Sequence, residues 1–151
     1  MKKPYWEYVM KATQAVLAST LLISALLSIW IVASDAWLRA VAPTHEYGLL
    51  AFAAIDLFLA MILFVAPRVA DVCTFLLAII QAIAMLGDVY NFAPTGTMQA
   101  AFRTYLLADV QFVGLFVIQL ALASIASIAM VSSHQLTRRM HTVGTPRLRL
   151  T

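Results

Sequence analysis

Residues Tyr47–Val65 read YGLLAFAAIDLFLAMILFV. As a helix rising 1.5 Å per residue, this stretch is about as long as the ~30 Å hydrocarbon layer of a bilayer is thick. It is apolar almost throughout, yet Asp56 stands near its middle. A carboxylate at the centre of a membrane helix costs roughly 2.5–3.5 kcal/mol on insertion scales, so it calls for a partner or a role.

The rest of the chain repeats the pattern. Of its 151 residues, 63% are hydrophobic and only 11% charged, and the charges avoid four long segments. That is the signature of a polytopic helical membrane protein, not of a soluble core. Spans are expected over residues 12–33, 47–66, 70–89 and 109–131, with a basic tail over 133–151. They predict one membrane domain covering 1–151: an all-α integral membrane protein folded as a four-transmembrane-helix up-down bundle. The uncharged run from Ala12 to Ser34 exceeds the ~7–15 residues of a signal-peptide core, so it reads as a retained span.

The connections carry their own signals. Ala36–Val41 reads as a short interfacial helix ended by Pro43, and Thr44 as the N-cap of the second span, which stops at Pro67. The connection PRVAD is short enough to make spans two and three antiparallel neighbours. YNFAPTGT, residues 90–97, is turn-rich, and Thr97 is placed to cap the next helix. A continuous helix from Met98 to Ser132 would be about 52 Å long, so one end must project from the bilayer or bend. The tail beyond Ser132 is expected to lack fixed structure unless lipid or a partner holds it.

Basic residues set the expected orientation. Four spans put both termini on one side, together with Lys2, Lys3, Lys11, Arg68, Arg138, Arg139, Arg147 and Arg149. Only Arg39 and Arg103 fall on the other side. The positive-inside rule then makes both termini cytoplasmic and the location the cytoplasmic membrane, crossed several times. Lys2, Lys3, Lys11, Arg138, Arg139, Arg147 and Arg149 are the expected contacts to anionic lipid headgroups, with Tyr5, Trp6 and Tyr8 in the same layer. Bound lipid is expected, and no nucleic-acid partner.

Each span has a polar residue near its centre: Ser24, Asp56, Gln81 and Gln119. In a bundle these fall at similar depth. Ala53 and Ala60 flank Asp56, and Ala78 and Ala82 flank Gln81, at spacings that mark helix-packing faces; Ala15/Ser19 and Ser24/Ser28 are further small pairs. No Lys or Arg lies at that depth. A protonated Asp56 donates to one amide oxygen and accepts from another amide. The layer therefore reads as a hydrogen-bonded register, a contact to another subunit, or a site of proton transfer or ligand binding.

Several chemistries lack their residues. Membrane haem needs axial histidines within the spans, but His45, His134 and His141 lie at span ends or in the tail. Cys73 is the lone cysteine and forms no thiol pair. No span holds a lysine for a Schiff base, and no proline interrupts a span as in many transporters. His45, Glu46, Asp88 and Asp109 form a possible outer metal set, although acids are expected at span ends and Arg39 and Arg103 can pair with them. Trp30, Phe58, Phe64, Phe112 and Phe116 read as lipid or subunit contacts.

These features predict a non-catalytic accessory subunit that binds no cofactor by itself. Its expected partners are other integral membrane subunits of an energy-converting complex, of the respiratory oxidase or membrane monooxygenase type. The alternative is a small proton-coupled transporter or quinone-interacting protein centred on Asp56.

Overall fold

The computed structural model describes residues 5–90 and 97–143, with side chains described for 8–40, 42–90 and 103–133. The described residues form six helices: α1 (Tyr5–Ser34), α2 (Ala36–Val41), α3 (Pro43–Ile62), α4 (Pro67–Tyr90), α5 (Thr97–Ala108) and α6 (Val110–Val143). No strand occurs among the described residues. Four stretches are long and apolar enough to cross a membrane: Tyr8–Ser34, Pro43–Ile62, Pro67–Tyr90 and Val110–Ser133. A helix satisfies its own backbone hydrogen bonds, as an apolar layer requires.

The long helices form a ring. α1 packs on α3 and α6, and α4 packs on α6 and α3, so α1 and α4 face each other diagonally. The contact between α3 and α4 is the shortest of the four seams. One end of the bundle carries α2 and α5, here the α2 end. The other carries the α3–α4 turn, the start of α1 and the end of α6, here the terminal end.

Two apolar clusters fill the interior. Leu17, Leu21, Leu59, Leu63, Leu122 and Ala126 pack in the terminal half. Ile31, Leu38, Met85, Val89, Leu106 and Leu115 pack in the α2 half. Ala53, Ala60, Ala78 and Ala82 are buried, as their spacing predicts. Ala15 and Ser19 are instead exposed. α1 turns its Leu17, Leu21, Ser24, Ser28 and Ile31 stripe inward, which leaves that small pair outside. Trp30, Phe58 and Phe64 are exposed, whereas Phe112 and Phe116 are half-buried and pack in part on the α2-end cluster.

The helix boundaries differ from expectation in physically instructive ways. Ala42, not Thr44, is the N-cap of α3, with Pro43 in the first turn. There a missing N–H costs nothing, so this proline opens α3 instead of closing α2. α3 ends at Ile62, four residues early, because its last turn tightens through Phe64 N–H to Met61 O (3.2 Å) and Val65 N–H to Ile62 O (2.9 Å). Pro67 then heads α4. The long fourth helix bends between α5 and α6 at Asp109, whose carboxylate accepts from the N–H groups of Gln111 (2.9 Å) and Phe112 (3.2 Å). At the other end α6 continues to Val143, so the first part of the tail is helical. The side chains of Arg138 and Arg139, and Lys2, Lys3, Arg147 and Arg149 altogether, lie outside the described residues, while Lys11 is exposed. The 90–97 turn likewise falls mostly outside them.

Candidate functional site

Ser24, Asp56, Gln81 and Gln119 come from four different helices and are all buried, Asp56 to 1% exposure. Gln119 Nε2 donates to Ser24 Oγ at 2.9 Å. Ser24 and Gln81 are the polar side chains nearest the Asp56 carboxyl. Even so, neither Asp56 oxygen reaches a hydrogen-bond partner, nor do Gln81 Nε2 and Gln119 Oε1. Each unpaired buried polar group costs about 1–3 kcal/mol, so the layer leaves part of its hydrogen-bonding capacity unused.

The two sides of the layer are unlike. One turn toward the terminal end, Leu21, Leu59, Ala78 and Leu122 close the bundle axis; all four are buried. Toward the α2 end the axis opens into a cavity of about 230 Å³. Its floor is Ser28, Phe52 and Gln81, adjoining Ser24 and Asp56. Its walls are apolar, chiefly Ile31, Leu49, Met85, Leu106 and Phe112. Asp35, Thr44, His45, Asp88 and Asp109 form the rim. The cavity thus joins the mid-membrane layer to the rim acids, two sets that the sequence presents separately.

The rim acids are mostly engaged. His45 Nε2 and Asp88 Oδ1 lie 2.9 Å apart, tying α3 to α4. Asp35 caps α2 through the N–H of Leu38 at 2.8 Å, and its second oxygen accepts from the Tyr105 hydroxyl. Trp37 lies against the Tyr105 ring, with centroids 4.0 Å apart. Burial first, then the hydrogen bond and charge of Asp35, push the Tyr105 pKa up, so the hydroxyl keeps its proton and donates. Asp109 caps α6, and Glu46 lies outside the cavity lining. No three His, Cys, Asp or Glu side chains converge among the described residues, so His45, Glu46, Asp88 and Asp109 are not gathered into one ligand set.

Two buried polar residues of α4 escape the mid-span reading: Asp71 and Thr74. Their signal is present in the spacing, because positions 71, 74, 78, 81 and 85 form one helical stripe, and all five are buried. The Tyr105–Asp35 contact joins residues 70 positions apart and has no local signal.

No family model matches this chain, and neither the curated proteins nor the solved structures include a match.

Proposed function

We propose that this chain is a non-catalytic, quinone-interacting subunit of a larger energy-converting membrane complex. The observation that carries the reading is the apolar-walled α2-end cavity with Gln81, whose Nε2 is an unpartnered donor, at its floor. Ligand sites in membrane bundles are mostly apolar with a few placed polar groups. Floor and rim are two helical turns apart on two helices, Ser28 to Asp35 and Gln81 to Asp88, or about 10.5 Å at 1.5 Å per residue. That span takes a planar ring with a hydrogen bond at each end. Gln81 donates to one carbonyl oxygen, and Thr44 and His45 stand at the other end. The short α3–α4 seam gives an apolar tail a way toward lipid beside Gly48, where a Cβ would meet nothing within 4 Å.

The chain supplies binding, orientation and exclusion of water, while redox chemistry belongs to partner subunits, since no haem-ligand or thiol pair lies within the spans. Both termini are assigned to the cytoplasm, and the location to the cytoplasmic membrane, on the distribution of Lys and Arg. Lys11 and the basic residues near both termini meet anionic lipid.

Gentle extraction from the source membrane tests this reading. A particle of fixed stoichiometry with other subunits, yielding solvent-extractable quinone, is expected. A lone 16.6 kDa chain without quinone would overturn it. A second reading, a proton-coupled transporter, is favoured by the buried, unpartnered Asp56 carboxyl. Loss of proton-linked transport in Asp56→Asn, with assembly intact, would establish that reading instead.

A further inference from the structure

A second cavity, of about 180 Å³, opens at the terminal end between α1, α4 and α6. Among the described residues its one acid is Asp71, 3% exposed, whose Oδ1 has no hydrogen-bond partner. Of the three lining hydroxyls, those of Thr13 and Ser133 already donate their hydrogens to backbone carbonyls. Thr13 Oγ1 donates its hydrogen to Val9 O at 2.9 Å, and Ser133 Oγ donates to Met130 O at 2.8 Å. The Thr13 lone pairs remain for a ligand, and Gln14 adds an amide oxygen to the lining. The site is therefore rich in acceptors around one buried carboxylate. A primary ammonium is its complement, with three N–H donors and no acceptor.

The mouth has the opposite character. Arg68 is exposed there, one turn before Asp71, at the positive end of the α4 dipole. A ligand that seats an ammonium on Asp71 places an attached anion beside Arg68. The cavity adjoins the ends of three spans, the level at which lipid headgroups lie.

We propose that the terminal-end cavity binds the headgroup of an ethanolamine-type phospholipid, its primary ammonium on Asp71 and its phosphate toward Arg68. This differs from the diffuse attraction of basic residues for anionic lipid, because it selects for N–H donors. A choline headgroup carries the same charge but has no N–H to give Asp71.

The test is lipid retention by the full chain after detergent washing of nanodiscs, read by native mass spectrometry. Discs hold phosphatidylglycerol with an equal amount of ethanolamine, N-methyl-, N,N-dimethyl-ethanolamine or choline lipid. At least tenfold greater retention of the ethanolamine lipid over choline lipid is expected, falling with each added methyl. Asp71→Asn should abolish the preference and Asp71→Glu should keep part of it, while Gln81→Leu leaves it unchanged. A flat methylation series overturns the proposal even if Asp71→Asn does not fold. So does a preference that survives in folded Asp71→Asn, or displacement of the lipid by free O-phosphoethanolamine, which would make the ligand soluble.

Discussion

The two ends of the bundle use one helix face in opposite ways. α4 carries Asp88 at the α2 end and Asp71 at the terminal end, both turned toward the bundle interior. Asp88 meets His45 at 2.9 Å, so its charge is answered within the fold. Asp71 has no such neighbour for its Oδ1. The α2-end cavity consequently has a paired rim, an apolar middle and a donor in its floor. The terminal-end cavity sets acceptors beside an acid whose Oδ1 has no partner among the described residues, with Arg68 at its mouth. A buried acid on a membrane helix is a structural tie or a ligand site according to what the facing helices present, and its own position on the helix does not decide which.

The sharpest way to break this contrast is to remove what separates the cavities. Leu122, 1% exposed, belongs to the layer between them. Leu122→Ala should destabilise the bundle by about 2–5 kcal/mol through lost packing and the cavity left behind. Thermal unfolding in detergent reads this, and a change below ~1 kcal/mol would mean that the layer is not close-packed.

The next effect concerns the paired rim. Tyr105→Phe removes a hydrogen bond to the Asp35 carboxylate and should cost about 1.5–3 kcal/mol. Because folding raises the Tyr105 pKa, this contribution is fully present below the unfolded value of about 10 and is lost as pH rises through the higher folded value. The difference between wild type and Tyr105→Phe should therefore be flat from about pH 6 to 9. A difference that grows or vanishes within that window would contradict the assignment of the hydroxyl as donor.

Gln81→Leu sharpens the comparison by separating ligand binding from stability. Quinone affinity should fall at least tenfold, about 1.4 kcal/mol. Stability should hold or rise, because an unpartnered buried donor is replaced by an apolar group. Equilibrium dialysis and a melt on the same sample check both halves. The smallest effect is expected from Gln119→Leu, which removes the bond to Ser24 and should cost only ~0.6 kcal/mol, a typical interhelical value. A much larger loss would make the polar layer a structural lock after all.

The legible part of the fold lay in composition and spacing. Four apolar stretches, the Ala36–Val41 helix and the inward faces marked by Ala53, Ala60, Ala78 and Ala82 all follow from local pattern. The misplaced starts of α3 and α4 share one physical origin: Pro43 and Pro67 each serve as well inside a first helical turn as at the end of a preceding helix, and nothing local separates the two uses. Burial of Ser24, Asp56, Gln81 and Gln119 at one level was readable because each lies at its own span centre. The cavity above them was not, since it depends on how far α2 and α5 cover the bundle end and on Phe112 facing inward. Asp71 could have been found by extending the Gln81 stripe nearly three turns toward Pro67. Which helix would face it, and with what, was settled only by packing.

The α2-end cavity as a quinone site is tested most directly by titrating a short-tailed quinone into the chain in nanodiscs and following intrinsic tryptophan fluorescence. Trp37, packed on Tyr105 beside the rim, is the nearby reporter. Saturable quenching is predicted, weakened at least tenfold in Gln81→Leu and unchanged in Asp71→Asn. Quenching that rises linearly with the quinone content of the bilayer, or saturation with equal affinity in Gln81→Leu, would contradict it.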